Sequence, residues 1–399
     1  MKKILSLLIA GLLLVSLVAC GDSEADKEKN DVVVEKEYVE DEKQTGKFEY
    51  EDFDGKLILT GYDPYNDIDL VDLVLPTEAK DGRLISGIAD EMFKGCSVIK
   101  SVTIPSTYET IGECAFANCE ALTSVKFEIE YDQEDTTRIV SCVESIGDGA
   151  FMNCVSLQKI ELPAVITEVT KNMFSQCKAL KSIDLSNVTT INGGAFTACS
   201  SLQTIKLSDK LEYADNLAFY GCTSLKYTVE DGLCYLGNTA NKNLLLVHSD
   251  SLGITSATVN SKTKVIADHA FLDCESLSSI KLSDSVKVIN GTSFEDCSDE
   301  IYTVYENGNY LGTEENPYMV LINMVMPNVE DFTIHKDTKI ITNTALAKAE
   351  RLGDIDFDGT VAEWKAIIKA DEWTHDLILN VFCDGSTKPI TEPAEEVED

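Results

Sequence analysis

Positive charge is what this sequence most lacks. Its 33 Lys and Arg stand against 69 Asp and Glu, a formal net charge of −36 at pH 7. A field of that sign repels phosphate backbones, which argues against general nucleic-acid binding. Histidine is almost as scarce: His248, His269, His335 and His375 are the only four, and none stands in an HExxH spacing. There is no GxSxG elbow, no CxxC pair and no glycine-rich loop following a strand. Serine hydrolysis, structural zinc and nucleotide binding therefore have no local signature. No apolar run is long enough for a comfortable membrane span, since the one candidate stops between Ile4 and Ala19.

That run nonetheless has an address in it. Lys2 and Lys3 precede it, as in a secretory signal, and it ends Leu17, Val18, Ala19, Cys20. The ending resembles the bacterial lipobox, which implies that Cys20 is lipidated and becomes the mature N-terminus of an exported, membrane-tethered chain. An uncleaved anchor or a plain signal peptide is the alternative. Gly21 does not suggest retention at an inner membrane. Residues 1–20 are thus expected to be a lipoprotein signal peptide. Residues 21–47, acidic and poor in apolar side chains, are expected to be a disordered tether, and 389–399 an acidic tail.

What fills the rest is a repeat. A small residue and Phe, then Cys three places after the Phe, then Leu and an alternating strand recur from Met92 to Ser298. One copy reads Ala115, Phe116, Cys119, Leu122 and the next Ala150, Phe151, Cys154, Leu157. A period near 23 residues marks a solenoid, because one such unit cannot bury its apolar side alone. Eight of the 13 Cys occupy the same repeat position. One Cys per coil predicts a buried column of reduced thiols and not a disulfide framework, Cys being a small apolar residue when buried.

These residues resemble the BspA-type leucine-rich repeats of bacterial surface proteins. Thr110, Ile111, Gly112, Ala115, Phe116 and Cys119 fit that family's unit, as do Ser145, Ile146, Gly147, Ala150, Phe151 and Cys154. The resemblance implies an exported α/β repeat solenoid used for binding, often adhesion, and it brings no catalytic residues and no cofactor. The expected architecture is a leucine-rich-repeat solenoid over 48–360 with strand-rich coils, a β-hairpin as N-terminal cap, and a C-terminal helix-strand cap over 361–388. Val361, Trp364, Ile367 and Ile368 supply the helical stripe of that cap.

Three insertions interrupt the period, near 128–139, 227–255 and 302–330. The first predicts a protruding hairpin. The second and third match each other at an offset of 75 residues, Tyr235 with Tyr310 and Leu236-Gly237 with Leu311-Gly312. They are expected to be one module used twice, two strands around the Gly, standing off the solenoid as a binding outrigger or a structural brace.

Asp354, Asp356, Asp358 and Gly359 open like a calcium loop, but Lys365 stands where the metal needs a bidentate Glu, and no metal is expected. The sharper expectation is a ligand face. Outward strand positions carry Lys100, Lys126, Lys159, Lys181, Lys206, Lys226 and Lys281 against only Glu161 and Asp184. Ser182, Thr204 and Tyr227 offer hydroxyls beside them. Such a face would hold an anionic ligand, an acidic glycan or protein segment at the cell surface. Alternatively these charges pair across strands and serve only the sheet. The expected function is a surface binding protein; an envelope scaffold without a soluble ligand and an unrecognised hydrolase are the alternatives.

Overall fold

Each coil is built from two short strands and a corner that the Ala-Phe phrase turns. A computed structural model describes residues 37–40, 47–62, 71–79, 81–135, 138–370, 373–374, 377, 379–384 and 386–391. Cys20 and the lipobox, most of 21–47 and the end of the acidic tail lie outside the described residues. No helix among the described residues is long and apolar enough to cross a membrane.

The first strand of each coil alternates one residue in and one out, as Ser182–Leu185 shows with Ile183 and Leu185 buried and Ser182 and Asp184 exposed. Successive first strands stack in parallel: Asp72–Val74, Ser101–Ile104, Ser124–Phe127 and Lys159–Ile160 form one sheet, and Ser182–Leu185 pairs Thr204–Leu207 in register. The second strands are mostly two residues long, such as Thr190–Ile191 between Glu168–Val169 and Tyr213–Ala214. No strand here is long enough to hold alone. The coil exists because neighbours complete its backbone bonds and its core.

The interior shows how that completion works. Phe93, Phe116, Phe151, Phe174, Phe196 and Phe219 stack face to face, with centroids 5.0, 5.5, 5.8, 5.6 and 6.1 Å apart. Each such contact adds roughly 0.5–1.5 kcal/mol beyond area burial. Beside each ring from Phe116 to Phe219 the Cys thiol donates to the Phe carbonyl one coil earlier, as from Cys119 to Phe93 at 3.0 Å, Cys154 to Phe116 at 3.1 Å and Cys177 to Phe151 at 3.2 Å. All twelve described Cys are free, and eleven are buried. Burial pushes the thiols of Cys154, Cys222 and Cys297 up to about 12, and that of Cys199 in the same direction. The residue before each of these Cys takes a left-handed φ, which Asn118 and Asn153 tolerate and Ala198, at +58°, adopts at a cost.

The hairpin expected as N-terminal cap is present as Lys47–Phe53 and Lys56–Tyr62, turned by Asp54 and Gly55, both at positive φ. It gains a third strand that the composition does not suggest. Glu37–Glu40, inside the stretch expected to be a tether, pairs antiparallel with Lys47–Tyr50. An acidic side-chain pattern does not prevent a backbone from satisfying a free sheet edge.

The inserted modules depart further from expectation. The first runs Thr228–Glu230, Leu233–Leu236 and Leu245–Ser249, three antiparallel strands instead of two. Its third strand then pairs in parallel with Val265–Ile266 and so becomes a rung of the solenoid itself. The second module repeats this with Thr303–Tyr305, Gly308–Leu311 and Val320–Met324, the last pairing Ile340–Ile341. The modules are therefore built into the ladder and are not appended to it. Gly237 and Gly312 sit where a Cβ would run into the carbonyls of Asn241 and Asn316, and their own carbonyls accept from Leu207 and Leu282 at 3.3 and 2.9 Å. The 128–139 insertion is a small hairpin, Glu130–Tyr131 with Ile139–Ser141.

At the C-terminal end a capping box starts a six-residue helix, Val361–Ala366: Thr360 and Glu363 exchange side-chain and backbone bonds, and Trp364 is fully buried. The helical stripe overreaches by two residues, since Ile367 is already extended as the C-cap. Ile368 belongs to a strand, Ile368–Lys369, that pairs Ile340–Ile341 and leaves its side chain exposed.

Candidate ligand-binding face

The outward residues of the first strands fall into three columns, fixed by the strand register. The column nearest the Ala-Phe corner is linked coil to coil by backbone bonds: Thr123 donates to Lys100 at 2.7 Å, Gln158 to Thr123 at 3.0 Å, Gln203 to Lys181 at 2.9 Å and Lys226 to Gln203 at 3.1 Å. It therefore runs Lys100, Thr123, Gln158, Lys181, Gln203, Lys226, without a carboxylate. Among the described residues none of Lys100, Lys181 and Lys226 has an ion-pair partner within 4.0 Å.

The second column aligns Ser101 with Ser124 and Lys159, and Ser182 with Thr204. Its hydroxyls face water, apart from Ser101, which donates to Asp72 at 2.5 Å. Lys159 pairs with Glu161. In the third column Asp184 stands opposite Lys206, joined at 2.9 Å, and Lys126 reaches Glu128 at 3.1 Å. The seven lysines are thus two populations. Cross-strand and local pairing accounts for Lys126, Lys159, Lys206 and Lys281; Lys100, Lys181 and Lys226 form a separate cationic edge.

Lys281 leads to a feature the repeat pattern does not reveal. Where Ser279–Lys281 meets the second module, a cleft of about 310 Å³ opens between Ser278, Ser279 and Lys281 on one side and Thr303, Thr313 and Glu314 on the other. Lys281 and Glu314 close one end at 3.0 Å. The lining is hydroxyl-rich, suited to a polar ligand that exchanges hydrogen bonds with Ser and Thr.

Tyr227 does not belong to this face. Its ring packs edge-on against His248, centroids 5.0 Å apart, and burial drives its hydroxyl well above the usual tyrosine range. The module that begins there turns the chain antiparallel, so the alternation that holds in the other coils fails at this one. Gln158, Gln203 and Thr123, which sequence reasoning passed over, are readable as the residue after the inward Leu in each unit. Thr303, Thr313 and Glu314 have no such signal, since only the module's fold brings them to the face. Asp354 and Asp356 lie on the strand Asp354–Phe357, whose Ile355 and Phe357 point inward; Asp354 accepts from Asn380 at 2.9 Å and Asp358 from Tyr305. Among the described residues no group of three His, Cys, Asp or Glu is arranged to hold a metal ion.

Compared with known proteins, the chain matches the description BspA type Leucine rich repeat region in six copies, over residues 86–136, 130–246 and 247–366. It is similar to a leucine-rich repeat protein of T. pallidum, at 22% identity over 58% of this chain and 87% of that one, with a TM-score of 0.41. A leucine rich cell surface protein from Faecalibacterium prausnitzii shares 21% identity over 86% of this chain and 98% of the other, TM-score 0.38. The pneumococcal vaccine antigen PcpA shares 13% over 88% of each, TM-score 0.31. No curated protein matches.

Proposed function

Because the chain belongs to the BspA type leucine-rich-repeat family, whose members are typically surface-exposed, we propose that it is a binding protein that holds a protein or glycan ligand at the cell surface. One observation carries this: the column Lys100, Thr123, Gln158, Lys181, Gln203, Lys226 runs along the solenoid with no carboxylate in it and, among the described residues, no ion pair on its lysines, in a chain of net charge −36. A face that served only the sheet would neutralise these lysines as it does Lys206. The lysines steer an anionic group, and the neighbouring Ser182 and Thr204 hydroxyls bond it.

The test is capture from arrays of glycans and of matrix and envelope proteins. K181E/K226E is expected to lose ligand and salt dependence while melting like the parent, and K206E, already tied to Asp184, to lose little. Equal capture by K181E/K226E would move the site to the cleft lined by Lys281 and Thr303. The pairing of four of the seven lysines favours a second reading, an envelope scaffold, and an array with no saturable ligand would establish it.

Attachment is part of the same proposal. Cys20 is the residue that would carry the lipid, and C20A is expected to leave an unprocessed precursor that no longer fractionates with membranes. Normal maturation and retention of that variant would refute the anchor.

A further inference from the structure

The position just before each second strand forms another column, on a different side of the coil from the ligand face. Backbone bonds trace it: Glu144 donates to Glu109 at 2.7 Å, Thr189 to Thr167 at 2.7 Å, Glu212 to Thr189 at 2.8 Å, and, past the first module, Lys287 to Lys264 at 2.8 Å. Read in chain order it is Glu109, Glu144, Thr167, Thr189, Glu212, then Lys264, Lys287 and Lys339. The sign of the charge reverses once, at the first module, and does not mix.

The basic half is unusual in its own terms. Lys264 and Lys287 precede the paired strands Val265–Ile266 and Val288–Ile289, so they stand one rung apart, about 4.8 Å, on parallel neighbours. Like charges so placed disfavour a sheet. Elsewhere a carboxylate relieves such lysines, as Glu109 does for Lys56 at 2.6 Å. Here Asp284 pairs with Lys339 at 3.5 Å, while Asp209 accepts from the Asn238 amide at 3.0 Å and meets Lys264 Nζ through its backbone carbonyl at 3.4 Å. Among the described residues Lys262, Lys264 and Lys287 have no ion-pair partner within 4.0 Å.

These lysines border a shallow depression of about 500 Å³, with Asn241, Asp284 and Ser285 as its other polar lining. Lys262 is held ready on its rim. Its N–H donates to Asn260 Oδ1 at 2.8 Å, and its carbonyl accepts from Asn241 Nδ2 at 2.8 Å, so the first module pins the turn that presents it. Lys264 and Lys287, one rung apart along the axis, with Lys262 on the turn beside them and none of the three in an ion pair among the described residues, suit a chain carrying regularly spaced anions. Beside the ammonium groups the depression offers the Ser285 hydroxyl and the Asn241 amide, which exchange hydrogen bonds with the hydroxyls of a sugar chain.

We propose that the edge formed by Lys262, Lys264 and Lys287 is a second binding site, for a polyanionic glycan bearing carboxylate or sulfate groups, laid along the solenoid axis. It is separate from the strand face and does not depend on that reading.

The test uses the purified full chain on immobilised polygalacturonate and heparin, across a salt series, with poly-glutamate as a peptide control. The parent is expected to bind at least one glycan at low salt and to release it as salt rises. K264E/K287E should slow capture roughly tenfold or more, the scale of electrostatic steering. K264Q/K287Q, which removes charge without adding repulsion, should fall between. Matching thermal melts exclude misfolding. The proposal fails if K264E/K287E captures both glycans at the parental rate, if neither glycan binds at low salt, or if poly-glutamate binds in preference to both.

Discussion

The two inserted modules share a backbone but are fastened to the solenoid by opposite chemistries. In both, a buried Tyr takes a bond from the backbone of the following coil, Asn260 N–H to Tyr235 at 3.2 Å and His335 N–H to Tyr310 at 3.3 Å. In both, an Asn side chain donates to the turn beyond, Asn241 to Lys262 and Asn316 to Asp337, each at 2.8 Å. Around this common frame the first module is polar: Asn260 Nδ2 donates to Glu230 at 2.6 Å. The second has Tyr305 for Glu230, Tyr318 for Asn243, His335 for Asn260 and Asp358 for Ser283. All four replacements meet, with Tyr318 stacked on His335 at 4.0 Å, Tyr305 edge-on to His335 at 4.7 Å, and the Tyr305 hydroxyl donating to Asp358. That bond to a carboxylate raises the Tyr305 hydroxyl to about 12. The lesson is one of division: the shared bonds make the module, and the variable positions decide how it is held.

The joints behind the modules divide the same way. Asp215, Asp268 and His269 join the coils across the first module, and the equivalent residues across the second are Asn290, Asn343 and Thr344. His269 Nδ1 lies 3.7 Å from Asp215 and Nε2 3.6 Å from Glu295, while Tyr213 donates to Asp268 at 2.9 Å. One joint titrates and the other does not.

The comparison breaks most completely if its common part is removed. Y235A and Y310A should each destabilise by about 3–5 kcal/mol, the range for emptying a buried aromatic site, and to a similar extent despite the different surroundings. Urea melts would show it, and a large inequality would mean that the frame is not shared energetically.

Exchanging the variable part should cost less. Y305E/H335N gives the second module the first one's fastening and should lose about 1–2 kcal/mol of aromatic contact, visible as a lower Tm. No loss would mean that the rings merely fill space.

The smallest effect sharpens the contrast between joints. Asp215 is the main influence holding His269 above its ordinary value, helped by Asp268 and Glu295 against burial. A folded pKa above the unfolded one adds stability that is whole below about pH 6.5 and lost as pH rises through the folded value. Raising pH through neutrality should therefore weaken the first joint by less than about 1 kcal/mol, since His269 is partly exposed. H269T should abolish that slope, and an unchanged pH profile in H269T would show that the histidine is not its source.

The parts legible in the sequence were those that repeat locally. Phe116, Cys119 and Leu122 recur at a fixed distance, so their burial follows from period alone, and the offset of 75 revealed the paired modules. The third strand of each module was hidden because Leu245–Ser249 earns its place by parallel pairing with Val265–Ile266, a partner that no local pattern names. The lysines illustrate the same limit at the candidate face. Alternation put all seven outward, but the partners that separate Lys126 and Lys281 from Lys181 are Glu128 and Glu314, which lie off the strands that carry those lysines. Tyr227 was misplaced because the alternation ends where the module begins.

The thiol column has a direction, and direction has a consequence for biogenesis. Cys222 donates to Phe196, Cys199 to Phe174 and Cys177 to Phe151, always toward the coil already made when the chain is read from its N-terminus. Each sulfur finds its acceptor only if the preceding coil is in place. A chain emerging N-terminus first can therefore shelter its thiols one at a time in the order in which they appear. Closure in any other order leaves reactive sulfurs waiting beside one another, open to exchange in an oxidising compartment. For this solenoid, the sequence of folding events and the chemical survival of the chain are the same problem.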